Sequence, residues 1–128
     1  MVKGIKKVDQ VSYLSPWKIH GVPTNLLKKG YLIRWDDMYF LINRQYNHDG
    51  SQLREWEICE YYTGQKVSNG YSGMRTAMAS LAYKIKQKDL EKTVKLVLDS
   101  RHRRGEEDLN KNPGSYTWDI IDLKEVMT

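Results

Sequence analysis

From Tyr31 the chain runs Tyr, Leu, Ile, Arg, Trp, then Asp36-Asp37, then Met, Tyr, Phe, Leu, Ile. Aromatic and β-branched residues on both sides of a short acidic pair predict two strands joined by a tight turn. Asn47-His48-Asp49-Gly50-Ser51 marks a second turn, Asp-Gly being a strong signal, and Arg54 to Tyr61 alternates as a third strand. On that strand Trp56 and Ile58 share one face, and Glu55, Glu57 and Cys59 share the other. Thr63-Gly64 turns the chain again, Gln65 to Ser68 gives a short fourth strand, and Asn69-Gly70 closes it. A helix follows with Ser72 as its N-cap. Its apolar stripe is Met74, Ala77, Met78, Leu81 and Ile85, with Arg75, Lys84, Lys86 and Lys88 outside it.

Periodicity is less decisive elsewhere. In Asp89 to Ser100, Leu90, Val94, Val97 and Leu98 fit a helix, although Thr93 to Leu98 also reads as a β-type run; Asp89 at the start and the surrounding Lys and Glu favour helix. Tyr116 to Leu123 reads as a last strand whose neighbour is unassigned. Ser15-Pro16, Gly21-Val22-Pro23 and Lys28-Lys29-Gly30 make residues 12–30 turn-rich, so residues 1–30 are expected to form an irregular lead-in, with at most a helical turn at Thr24 to Leu27. The expected fold is α+β, an antiparallel sheet of about four to five strands packed by one or two helices.

At 128 residues the chain suits one domain with one core, and 40% hydrophobic residues, nine Tyr and four Trp among them, make a composition that folds. A lone cysteine, Cys59, allows no intramolecular disulfide and no multi-cysteine zinc site, which points to an intracellular protein. The Lys-rich opening residues lead into no apolar segment, and no long apolar run follows, so a soluble, cytoplasmic protein with no membrane partner is expected. The net charge of +5 biases encounters mildly toward polyanions.

Residues that could carry chemistry are scattered. His20, His48 and His102 are not spaced as metal ligands. Asp36-Asp37 fits a turn and Glu106-Glu107-Asp108 offsets the preceding basic run, although Asp36, Glu55 and Glu57 could converge as a metal-dependent nuclease would require. Flanking glutamates disfavour a Cys59 thiolate. Gly64, Gly70 and Gly73 lack the Lys-Ser/Thr ending of a phosphate loop. No catalytic residue, metal or cofactor is therefore expected. The most positive region is 84–104, with Lys84, Lys86, Lys88, Lys92 and Lys95 followed by Arg101, His102, Arg103 and Arg104; arginine suits forked contacts to phosphate or carboxylate. Trp35, Tyr39, Trp56, Tyr61, Tyr62, Tyr71 and Trp118 build the core or, on an open sheet face, stack bases or anchor a partner.

The unit from Trp56 to Ser72, followed by the helix bearing Arg75, Ala77, Leu81 and Ala82, resembles the second half of a double-stranded RNA-binding domain, with Gly73-Met74 where that family places Lys-Lys. The same unit is similar in style to small phage and mobile-element proteins of the anti-CRISPR type. That resemblance implies a stoichiometric inhibitor acting by surface occlusion, without cofactor or turnover.

Together these readings favour a binding protein whose partner is a host nucleic-acid-handling protein or nucleoprotein, for example a nuclease. The expected contacts are Arg101, His102, Arg103, Arg104, Lys84, Lys88, Lys92 and Lys95 with the aromatics Trp35 and Tyr39. Direct RNA or DNA binding is the alternative, and a metal-dependent nuclease a third reading.

Overall fold

A computed structural model describes residues 7–47, 49–103 and 108–127. The three strands expected after Tyr31 are present. They belong to β2 (Val22–Trp35), β3 (Met38–Tyr46) and β4 (Gln52–Glu60), preceded by β1 (Val11–Ile19) and followed by β5 (Lys66–Tyr71). These five lie in the order β1-β2-β3-β4-β5, every neighbouring pair antiparallel. After β5 come α1 (Met74–Lys86), α2 (Asp89–Arg103), a 3-10 segment (Pro113–Asp119), β6 (Ile120–Asp122) and α3 (Leu123–Val126). The architecture is an α+β sheet packed by helices.

Alternation along the central strands divides the interior. Ile33, Phe40, Ile42 and Ile58 meet Ala77, Met78, Leu81 and Ile85 of α1, Leu90 and Val94 of α2, and Leu123 of α3. Their strand neighbours Leu32, Leu41 and Cys59 face the other way and are covered by Val11 and Tyr13 of β1, with Tyr61 alongside. The period of two that sets Ile58 against Cys59 thus gives the sheet two buried faces, one under the helices and one under the first strand.

Residues 1–30 require a correction. Within them the described chain is no irregular lead-in but a long hairpin, β1 paired with residues 22–30 of β2 through a two-residue turn at His20-Gly21. Both turn residues have positive φ, 51° and 78°, which matches the right-handed twist of the strands. The turn signals misled because Pro16 and Pro23 pair with Asn25 and Lys18. Counted from the turn, these are positions whose backbone nitrogens point away from the partner strand, where proline costs no ladder bond.

Smaller differences follow from local geometry. Asn69-Gly70 does not end β5; it lies within the strand near a shift of register opposite Trp56 and Glu57. Ser72 is not the N-cap of α1: Gly73 holds that position in extended conformation, and the Ser72 hydroxyl meets Thr76 Oγ1 at 3.4 Å. Asp89 to Ser100 is helical, as expected. The last expected strand is reduced to three residues, because Tyr116 to Asp119 are in the 3-10 segment and Leu123 opens α3. β6 runs parallel to β2, pairing Leu32 with Ile120 and Arg34 with Asp122.

Asn110 ties the first strand to the body. Its side chain accepts from Leu14 N at 2.7 Å and donates to Leu14 O at 2.8 Å and Tyr61 O at 2.7 Å. In effect it continues the ladder on the outer edge of β1, where paired backbone groups would otherwise be missing. Asn110→Ala leaves three backbone groups without these bonds, and we expect a loss of about 2 kcal/mol in urea unfolding, since unsatisfied buried groups cost about 1–3 kcal/mol. An unchanged midpoint would show that water replaces the amide.

Candidate functional site

Among the described residues, the cations of the basic region do not all share one face. In α2 the buried residues Leu90, Val94 and Arg101 recur along one side of the helix, whereas Lys92 and Lys95, three residues apart, fall on the opposite side and are exposed; Lys88, also exposed, precedes the helix with φ 65°. Leu96, on the same outward half, is 56% exposed, and Tyr83 in the last turn of α1 is 66% exposed. Lys84 is separate again: half-buried, it donates to Tyr71 Oη at 3.2 Å and lies 5.9 Å from that ring's centroid. Burial alone would raise the Tyr71 pKa, but hydrogen bonds with Ser68, Ser80 and Lys84 outweigh it and the pKa falls below the ordinary value. His102 and Arg103 are the last residues of α2, but their side chains, and all of Arg104, Glu106 and Glu107, lie outside the described residues, as does His48.

Trp35 and Tyr39 point to opposite faces of the sheet. Trp35 packs against the helix-covered core, with Lys124 Nζ 5.6 Å from its ring centroid. Tyr39 joins Tyr61 and Tyr62 beside the other core, its ring edge-on to Tyr62 at 6.2 Å. Burial raises the pKa of Tyr61 to about 12. The two aromatics face opposite ways because Tyr39 pairs with Arg34 while Trp35 pairs with Met38, adjacent and so oppositely directed positions of one ladder. Trp118 lies in the 3-10 segment and is 88% exposed.

Arg101 instead turns toward the hairpin. There it lines a cleft of about 570 Å³ with Trp17, Lys18, Thr24 and Asn25, and with Pro16, Pro23 and Leu109. Trp17 is half-buried, and Lys28 Nζ lies 5.3 Å from its ring centroid. Sequence reasoning missed Trp17, Lys18 and Lys28 because they were assigned to an irregular segment; the alternation Val11, Tyr13, Ser15, Trp17, Ile19 was the signal available.

Beneath the hairpin lies a buried polar network. Lys28 Nζ meets Glu57 Oε2 at 3.1 Å, with both side chains only 1% exposed. Asn43 Nδ2 donates to the same oxygen at 2.8 Å, and Tyr13 Oη donates to Asn43 Oδ1 at 2.6 Å. Lys66 approaches Glu57 Oε1 at 3.6 Å from the solvent side. Burial, with Cys59 and Glu57 nearby, drives the Tyr13 phenol far above its ordinary pKa. The Cys59 thiol is pushed up to about 11, chiefly by burial and then by Glu57. The protonated thiol is the poor nucleophile of the two forms. In the native protein Cys59 is therefore expected to resist iodoacetamide at pH 8 and to react once the chain is unfolded in guanidinium. Rapid labelling of the native protein would contradict its burial.

The carboxylates considered for a metal site have separate partners. Asp36 Oδ1 is 2.7 Å from Lys124 Nζ at the β2–β3 turn, whereas Glu57 is held under the hairpin by Lys28 and Asn43. Among the described residues, no group of three His, Cys, Asp or Glu is placed to hold a metal ion. Glu60 is buried at the end of β4, where it accepts from Thr63 N and Thr63 Oγ1 at 2.8 Å each. Desolvation raises its pKa against the opposing effect of those bonds. Among the described residues no helix is long and apolar enough to cross a membrane. The chain matches no protein-family model, no curated protein sequence and no solved structure.

Proposed function

We propose that this protein is a non-catalytic binding protein of the cytoplasm, a stoichiometric inhibitor of the anti-CRISPR type that occludes a host nucleic-acid-handling protein or nucleoprotein. The outward side of α2 is the contact surface in this reading. The observation that carries it is the pair of exposed cations Lys92 and Lys95 on a packed helix, with exposed Lys88 just before it, beside the exposed side chain of Leu96. Cations steer an acidic partner or the phosphates of a nucleoprotein into encounter, while exposed apolar side chains supply the desolvated contacts that slow dissociation. A surface built for phosphate alone has little use for Leu96 and Tyr83.

The test is affinity capture from host lysate with and without nuclease, followed by titration of the captured enzyme's activity. A defined protein should survive nuclease treatment, lose activity at one equivalent of this chain, and fail to be captured by Lys92→Glu or Leu96→Asp. Both positions are exposed, so these variants should keep the wild-type unfolding midpoint. Recovery of nucleic acid alone, lost on nuclease treatment, would sink the reading.

A further inference from the structure

The cleft between the hairpin and α2 is a second site, on the side of α2 opposite Lys92 and Lys95, and its chemistry is different. We propose that it binds one nucleotide unit, the base stacking on Trp17 and the phosphate held by Lys18 and Arg101. This inference goes beyond the occlusion reading and does not depend on it.

Size, charge and rigidity converge on that ligand. A volume of about 570 Å³ is ample for a base with its sugar and phosphate and falls within the range of small-ligand sites, about 300–1,000 Å³. Among the described residues lining it are two cations, Lys18 and Arg101, and no carboxylate. A ligand seated there is therefore favoured if it is anionic. It is also favoured if it is planar, because the indole of Trp17 forms part of the wall. The ring is a fixed platform: the Lys28 ammonium 5.3 Å from its centroid is itself anchored to buried Glu57 at 3.1 Å. Arg101 is only 8% exposed, so its side chain is ordered by packing before any ligand arrives. Thr24 and Asn25 add hydrogen-bonding groups able to meet the edge of a base.

An unstacked base with its phosphate can come from a free nucleotide or from a single strand, and two probes separate these sources. Fluorescence anisotropy of a labelled ten-nucleotide oligothymidylate, competed with thymidine monophosphate, should show binding at low salt that weakens as salt is raised. Displacement by the monophosphate identifies the free nucleotide as sufficient; oligonucleotide binding without displacement identifies the strand. Trp17→Ala should weaken binding at least about fivefold, and Trp17→Phe should restore most of it. Lys18→Glu, at an exposed position, should weaken binding and reduce the slope of log affinity against log salt by about one. It also serves as the readout if Trp17→Ala fails to fold. The proposal is overturned if neither probe binds at low salt, or if binding is unmoved by Lys18→Glu and Trp17→Ala but abolished by Lys92→Glu.

Discussion

Gly64→Ala is expected to lower the unfolding free energy by about 4 kcal/mol or more, the range reached only by changes that strain the backbone or break buried structure. Gly64 has φ +66°, a conformation that costs an L-residue about 1–2 kcal/mol. The larger cost is steric: a Cβ at this position would lie 1.9 Å from Leu14 O and 2.9 Å from Ser15 Cα, both backbone atoms of β1. Relief requires β1 to move away. That movement would break the bond from Ser15 Oγ to Gly64 O at 2.7 Å and draw Leu14 away from Asn110. It would also uncover Val11 and Tyr13, which close the second core. Gly114→Ala is the control, since nothing lies within 4 Å of its added carbon, and it should shift stability by less than about 1 kcal/mol. Urea unfolding of both variants decides the matter. A small effect of Gly64→Ala would mean that β1 does not rest on this turn.

That contact was not legible in the sequence, and the reason is physical. What could be read was local: alternation from Tyr31 to Ile42, the Asp36-Asp37 and Asp49-Gly50 turns, and the apolar stripe of α1 all involve residues within one or two turns of each other. The hairpin before them carries signals that oppose its own structure. Its prolines sit at non-hydrogen-bonded ladder positions, and Lys28, buried on β2, looks like part of a polar turn beside Lys29 and Gly30. Its stabilising partner is Glu57, 29 residues away and recognisable only once β4 is in place. Asn110 reaches Leu14 across 96 residues, from a loop read as merely acidic and polar. The candidate surface divides in the same way. The pair Lys92 and Lys95 is a feature of one helix and was visible, whereas the turning of Arg101 toward Trp17 depends on where a hairpin lies.

The second large effect is expected at the buried ion pair. Glu57→Ala should cost about 3–5 kcal/mol, because it leaves the Lys28 ammonium, 1% exposed, without its carboxylate. Lys28→Met should cost less, since Glu57 would keep the amide of Asn43 at 2.8 Å and the half-exposed Lys66 at 3.6 Å. The double variant Lys28→Met, Glu57→Leu should recover most of the loss. Removing both charges eliminates the desolvation penalty that their attraction only partly offsets, and Tyr13 can still donate to Asn43. A thermodynamic cycle over the four proteins thus separates the cost of orphaning one charge from the worth of the pair. If the single Glu57 variant were as stable as wild type, water would have to reach Lys28, and the hairpin could not be packed down as described. The cycle also bears on ligand binding. Lys28 bridges Glu57 and the Trp17 ring, so the double variant keeps the core while removing the cation that holds the indole. It should fold with near wild-type stability and still bind the oligothymidylate more weakly, a combination that a purely structural role for Lys28 would not produce.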